Sequence, residues 1–137
     1  MIFKGYISSR PLNNNSVIDQ SVQNLVIRNS CEKRGFLFYL SATEYGMDNC
    51  FLVLNQIIND LNKNKYKGIA FYSLAQLPLE ANERKKIYKA TVMRGKQILF
   101  SLENLLISNK EKIFKLEKII KILSLLKFCP KKLSINK

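Results

Sequence analysis

The stretch that decides the fold is Ile2-Phe-Lys-Gly-Tyr-Ile-Ser-Ser-Arg-Pro11, an apolar run that ends in a small polar cluster. This pattern predicts a buried first strand. Three later apolar runs end in the same way, at Ser41, Ser73 and Ser101. The carboxyl ends of parallel strands lie along one edge of a sheet, where ligands of open α/β proteins bind. The sequence therefore predicts a site at that edge.

Strand-like and helix-like segments alternate four times along the chain. The later strands are predicted at Phe36–Leu40, Ile69–Tyr72 and Gln97–Phe100. This alternation is typical of a parallel sheet covered by helices. We predict a single-domain, three-layer α/β fold of 137 residues with a four-stranded parallel sheet flanked by helices. Residues 1–106 form its strand-helix core, 107–129 an amphipathic basic helix and 130–137 a basic tail.

Apolar periodicity places the helices that flank the sheet. The first helix is predicted over Val17–Arg34, and the last is predicted to begin at Ser108 or Asn109. The expected buried stripe of the first helix is Ile18, Val22, Leu25 and Val26. The expected stripe of the last helix is Ile113, Leu116, Ile120 and Leu123.

Composition excludes several classes of protein. The 47% apolar and 24% charged residues are typical of a folded globular chain. The absence of histidine excludes Ser-His-Asp and Cys-His catalysis. The three cysteines lack metal-ligand spacing, so we expect reduced thiols and no metal. Neither a GxGxxG nor a Walker A motif is present, so no cofactor is expected. No apolar run is long enough to span a bilayer, and no secretion signal precedes the first strand, so a cytoplasmic location is expected.

The net charge of +13 is concentrated at the end of the chain. The segment from Lys110 to Lys137 holds nine lysines against two glutamates, a net charge of +7. Such basicity suits an anionic partner. The 18 lysines against five arginines are equally what an AT-rich genome produces, so a solvated outer helix face is the alternative.

The predicted edge carries the candidate functional residues. Arg10 can bind a carboxylate or phosphate through its guanidinium fork, and Glu44, Glu103 and Ser9 are the catalytic candidates. The alternative is that polar residues end strands because they satisfy local backbone groups. The full set of candidate ligand-binding residues is Ser8, Ser9, Arg10, Ser41, Thr43, Glu44, Tyr45, Ser73, Gln76, Glu103 and Asn104.

Residues 1–106 resemble the catalytic domain of serine recombinases (resolvases). The resemblance is carried by Gly5-Tyr6 with the serines that follow, Gln23, the helix from Cys50 and the Leu74–Leu77 loop. That family reads Tyr-x-Arg-Val-Ser after the first strand, with the last serine as nucleophile. Here Ser8 stands at the arginine position and Arg10 at the nucleophile position. Ala75-Gln-Leu-Pro78 replaces the family's Asp-Arg-Leu-x-Arg, so the resemblance implies the fold without strand cleavage.

A second set of segments resembles the sporadic carbohydrate cluster proteins, which are encoded among surface-polysaccharide genes. The matching segments are Gly5–Pro11, Gln23–Arg28, Leu40–Tyr45, Tyr72–Leu74 and Leu102–Glu103. This resemblance implies an accessory protein of carbohydrate biosynthesis that binds or acts on a sugar or nucleotide-sugar at the strand-end edge. The alternative function is that of a resolvase-like DNA-binding protein without the catalytic arginines.

These expectations extend to partners. Under the carbohydrate interpretation, a homodimer or a complex with other biosynthetic proteins is open, and nucleic acid is not an expected partner. No transmembrane segment is expected, and a weak peripheral membrane contact through the basic helix is left open.

Overall fold

A computed structural model of the chain describes residues 2–9, 17–44, 51–63 and 66–126. Its elements alternate strand and helix up to the fourth strand, as the sequence predicts, and a fifth strand follows before the last helix. They are β1 (Ile2–Ser8), α1 (Gln20–Lys33), β2 (Leu37–Glu44), α2 (Leu52–Lys63), β3 (Gly68–Phe71), α3 (Ala81–Ala90), β4 (Gln97–Phe100), β5 (Leu105–Ile107) and α4 (Lys110–Leu126).

The sheet has the strand order β2-β1-β3-β4-β5. The first four strands are parallel, which confirms the α/β fold class. The fifth strand is a correction to the predicted four-stranded sheet, because Leu105–Ile107 turns back antiparallel to β4. The turn between them contains Asn104 at φ 56°, a left-handed conformation that asparagine tolerates better than most residues.

Alternate side chains of the strands enter two separate cores. Tyr6, Phe71 and Phe100 pack on one face against α2, α3 and α4. Phe3 and Leu99 pack on the other face against α1. The sheet is therefore buried on both faces, which is why its strands read as continuous apolar runs.

The buried face of α1 agrees with the predicted stripe only in part. Ile18 and Val26 pack partly buried against the core, as predicted. The fully buried residues are Gln23, Ile27 and Cys31, whereas Val22 and Leu25 are 44% and 58% exposed. The helix is oriented by hydrogen bonds between Gln23 and the end of β1, and Ile27 and Cys31 follow at intervals of one turn. A polar residue thus sets the buried face, which apolar periodicity cannot detect.

The stripe predicted for α4 is correct at its centre. Leu116 is buried, and Ile113 and Ile120 pack partly buried against the core. Leu123 is 37% exposed and lines an open groove between α4 and the segment 74–79, so it is not a core residue. The predicted start is confirmed, since Asn109 Oδ1 accepts the Lys112 N–H at 2.9 Å and caps the helix. The predicted tail, 130–137, lies outside the described residues.

None of the helices described is both long and apolar enough to cross a bilayer.

Candidate functional site at the carboxyl edge of the sheet

Glu44 lies at the end of β2, which continues past Leu40, the residue at which the sequence predicted the strand to end. Ser41–Glu44 continue the strand, and Glu44 pairs in register with Ser8 of β1. The side chain is 2% exposed. Its carboxylate accepts the backbone N–H groups of Val53 and Leu54 at 3.1 and 3.3 Å, and the Tyr6 hydroxyl at 3.2 Å. Glu44 is therefore a long-range N-cap of α2, where a negative charge is favourable.

Two buried glutamines connect β1, α1 and the segment after β3. Gln23 Nε2 donates to the Ser8 carbonyl at 2.7 Å, and Gln23 Oε1 accepts the Ser8 N–H at 3.1 Å. Gln76 Nε2 donates to Gln23 Oε1 at 2.9 Å, and Gln76 Oε1 accepts the Tyr72 N–H at 3.0 Å. The two amides join the ends of β1 and β3, the point at which ligands bind in open α/β sheets. In this chain, protein side chains occupy that point.

Glu103 holds the first turn after β3. Its carboxylate accepts the Ser73 hydroxyl at 2.7 Å and the Leu74 N–H at 3.1 Å. The Ser73 Oγ in turn accepts the Ala75 N–H at 3.2 Å. Ser73 and Gln76 form a capping box around the 3-10 turn Leu74–Gln76.

The remaining predicted residues divide into three groups. Ser8 is buried, and Ser9 and Thr43 are partly exposed beside it. Asn104 lies in the β4–β5 turn, where its side-chain and backbone oxygens accept hydrogen bonds from Arg34. Arg10 and Tyr45 lie outside the described residues, as does the side chain of Ser41, so the binding roles expected of these three residues stay predictions.

The structure thus brings Ser8, Glu44, Ser73, Gln76 and Glu103 to one edge, where each described contact holds nearby backbone or a neighbouring side chain. The predicted site list omits Gln23, which is central to this network. Composition and periodicity do not point to it, because a glutamine on a helix is usually solvent-exposed. The signal that could have found it is the recombinase resemblance, in which Gln23 is one of the matching residues.

A second polar cluster ties α3 to α4, and apolar periodicity did not predict it. Arg84 is 8% exposed and contacts the Glu117 carboxylate at 2.9 and 3.0 Å. The Tyr88 hydroxyl donates to the same carboxylate at 2.7 Å. Burial alone would raise the pKa of Glu117, but hydrogen bonds from Arg84 and Tyr88 outweigh it and lower the pKa below its ordinary value. Burial and the bond to Glu117 raise the pKa of Tyr88.

The outward surface of α4 is strongly basic. Glu117 is turned toward Arg84, which leaves Glu111 as the acidic residue on the exposed surface of the described helix. The exposed lysines are Lys110, Lys112, Lys115, Lys118 and Lys121. Lys118 Nζ lies 4.6 Å from the ring centroid of Phe114, which is 64% exposed.

Neither a family model nor a curated protein matches this chain. Two solved structures share its fold. The N-terminal catalytic domain of TP901-1 integrase superposes with a TM-score of 0.58 at 17% identity, over 95% of this chain and 98% of that chain. A resolvase family site-specific recombinase from Streptococcus pneumoniae gives 0.60 at 11% identity, over 96% and 99%.

Identities this low establish the fold alone. The resolvase-like fold expected from the sequence is confirmed, and the carbohydrate cluster resemblance has no support from the comparisons. The chain has the fold of a recombinase catalytic domain.

Proposed function

We propose that this chain is a recombinase-related DNA-binding module that does not cleave DNA. The observation that carries the proposal is the fold, which is shared with two recombinase structures over nearly the whole of both chains. This favours the function that the sequence analysis kept as its alternative. It also makes DNA a partner to test, although the carbohydrate interpretation did not expect one.

The strand-end edge supports the absence of cleavage. Ser8 is 2% exposed and hydrogen-bonded through its backbone to Gln23. In the recombinase motif, the nucleophile position corresponds to Arg10 of this sequence. Gln76 stands in the segment where the family has phosphate-binding arginines, and it is buried and holds backbone N–H groups. Glu44 and Glu103 serve as caps of a helix and a turn.

The first two turns of α4 support DNA binding. Lys110, Lys112 and Lys115 are exposed there, and Glu111 is the exposed acidic residue among them. Lysines on a solvent-facing helix neutralise phosphates without reading base sequence. We therefore expect salt-dependent binding with little sequence preference.

Fluorescence anisotropy with a labelled duplex at several salt concentrations tests the proposal. Changing Lys110, Lys112 and Lys115 together to glutamine should weaken binding, and the slope of log K against log salt should fall by about 0.9 for each phosphate that the variant no longer neutralises. The matched control changes Lys33, Lys86 and Lys89 to glutamine, which removes the same charge from α1 and α3. Equal losses of affinity in both triple variants would show that the net charge of the chain, and not the position of the lysines on α4, determines DNA binding. An absence of binding by the unmodified chain would overturn the proposal.

Sugar binding at the edge stays a prediction without a supporting contact. A thermal-shift screen with nucleotide-sugars and sugar phosphates tests it, because a ligand that binds only the folded chain raises the melting temperature. A clear shift with a nucleotide-sugar, together with no DNA binding, would restore the carbohydrate interpretation.

A further inference from the structure

The two edges of the sheet are protected to different degrees. A strand at an edge leaves a row of backbone N–H and C=O groups free to pair with another chain, so proteins commonly shorten, charge or bend such strands. β5 is three residues long, which leaves little to pair with. β2 is eight residues long, and it pairs with β1 and with no other strand of the described residues. The edge formed by β2 is therefore the open one.

The first half of β2 is apolar and exposed. Leu37 and Tyr39 are 63% and 50% exposed, and Phe38 between them is half-buried. Neither a charged residue nor a proline interrupts the run Leu37–Leu40. The pairing with β1 becomes irregular after Tyr39, so the regular and unprotected part of the edge ends there. Exposed apolar strand edges of this kind are sites of pairing with another strand.

The pairing of β1 shows which backbone groups of this segment are open. The Ile2 carbonyl accepts the Lys67 N–H on the β3 side at 2.7 Å. Backbone groups of successive strand residues point to opposite sides, so those of Phe3 point toward β2. Phe3 is in register with Phe38, and in a parallel pair it bonds to the two residues that flank its partner. The N–H and C=O groups of Phe38 therefore point away from β1.

An aromatic ring and a cation lie beside this edge on each face of the sheet. On the α1 side, a groove of about 330 Å³ is lined by Phe38 together with Arg28 and Glu32. Arg28 Cζ lies 5.6 Å from the ring centroid of Phe38, and on the other face Lys4 Nζ lies 4.9 Å from the ring centroid of Tyr39. Neither cation forms an ion pair with a carboxylate of the described residues. Both are therefore available to a carboxylate of a partner.

We propose that the open edge of β2 binds an extended segment of another protein, which adds a strand to the sheet beside Leu37–Tyr39. The segment has one acidic residue between two apolar residues. Its acidic side chain lies beside Arg28, and the apolar side chains cover Leu37 and Tyr39 on the opposite face. Main-chain hydrogen bonds supply affinity in strand addition, and alternate side chains supply specificity. Glu32, one turn away on α1, disfavours a second acidic residue in the groove.

Charge argues against a second copy of this chain as the occupant. Pairing of two copies about Phe38 would bring the Arg28 guanidinium groups of both together, on chains that each carry a net charge of +13. Like charges that face each other across an interface reduce affinity, whereas a carboxylate at the same place attracts Arg28. The proposal goes beyond DNA binding and does not depend on it, because the lysines proposed to bind DNA lie on α4, which follows β5 at the opposite edge of the sheet.

An NMR titration of the full chain with a synthetic peptide tests the proposal. The probe is acetyl-Thr-Val-Glu-Val-Thr-amide, whose glutamate can face Arg28 while its valines face Tyr39. We expect saturable shifts of the amide signals of Leu37, Phe38 and Tyr39. An absence of such shifts at millimolar peptide overturns the proposal.

A charge reversal tests the specificity of the edge. Arg28→Glu should weaken binding of the peptide about tenfold or more, because it places a carboxylate opposite the glutamate. The matched control, Arg94→Glu, makes the same change of charge at an exposed position before β4 and should leave the dissociation constant unchanged. Circular dichroism checks that both variants are folded. Equal weakening by both changes overturns the proposal, because the net charge would then explain the binding.

N-methylated peptides test the backbone pairing in the unmodified chain. A strand uses only alternate N–H groups along one edge. Methylation of the glutamate N–H and methylation of both valine N–H groups should therefore differ, with one change abolishing binding and the other leaving it close to that of the parent peptide. Equal losses with both peptides, or no loss with either, would show that the peptide does not add a strand to β2 and would overturn the proposal.

Discussion

At the scale of single residues, the polar groups at the edge of the sheet mainly hydrogen-bond nearby backbone and side chains and so hold the helices and turns in place. Glu44 shows this most clearly, because one carboxylate receives hydrogen bonds from α2 and from Tyr6. A buried carboxylate is tolerated where several donors compensate for its missing hydration. The helix that follows β2 is therefore positioned by a residue at the end of that strand.

Glu44→Gln should lower the free energy of unfolding by roughly 1–3 kcal/mol, because an amide nitrogen cannot accept the N–H groups that the second oxygen accepts. Urea denaturation measures the change. Glu32→Gln, an exposed position on α1, is the control and should shift the free energy by less than about 0.5 kcal/mol. Equal, small effects of both changes would show that Glu44 does not cap α2.

Cys31 should be unreactive in the native protein. It is fully buried, and burial, with Glu32 adding to it, raises the pKa of its thiol to about 11. Only the thiolate is the nucleophile, so iodoacetamide at about pH 8 should modify Cys31 in urea but not in buffer. Peptide mapping by mass spectrometry measures this, and rapid native labelling would contradict the burial.

At the scale of elements, apolar periodicity located the first and last helices, and apolar runs located four of the five strands. The sequence located β4 at Gln97–Phe100, and the structure has the same bounds. It ended β2 too early, because Ser41–Glu44 are small or polar residues that resemble a loop. It missed β5, since three apolar residues after a turn are too few to show a period. It also placed Val22 and Leu25 on the buried face of α1, although they are exposed, because a glutamine takes a buried position that an apolar residue normally fills.

The contact between α3 and α4 should depend on pH through Glu117. Its pKa lies below the ordinary 4.5 in the folded protein, so the charged carboxylate stabilises the fold above that pH, and this stabilisation disappears as the pH falls through the lower, folded pKa. Glu117→Gln should lower the melting temperature at neutral pH, and the difference from the unmodified chain should narrow on acidification. Thermal unfolding over a pH series measures this. A difference that does not change with pH would show that the carboxylate charge contributes nothing.

At the scale of the whole molecule, the strand-end edge was predictable, but its role was not. Parallel strands place their carboxyl ends together, so Ser8, Ser73 and Glu103 meet there as the sequence indicated. The sequence at the end of a strand does not show where a side chain points or which groups it hydrogen-bonds. A glutamate that acts as a general base therefore cannot be distinguished, from sequence, from one that caps a helix or a turn. The Arg84–Glu117 contact was not predicted either, because the two residues lie on different helices whose relative placement the sequence does not show.

The central claim is that this recombinase fold binds DNA but does not cut it. The most direct measurement incubates the full chain with supercoiled plasmid, stops the reaction with denaturant, and assays for protein joined covalently to DNA. We predict a salt-sensitive complex before denaturation and no covalent adduct or relaxed plasmid afterwards. A serine–DNA adduct mapped to Ser8 or Ser9 would contradict the claim, because it would show that a hydroxyl at the strand-end edge is free to attack a phosphate.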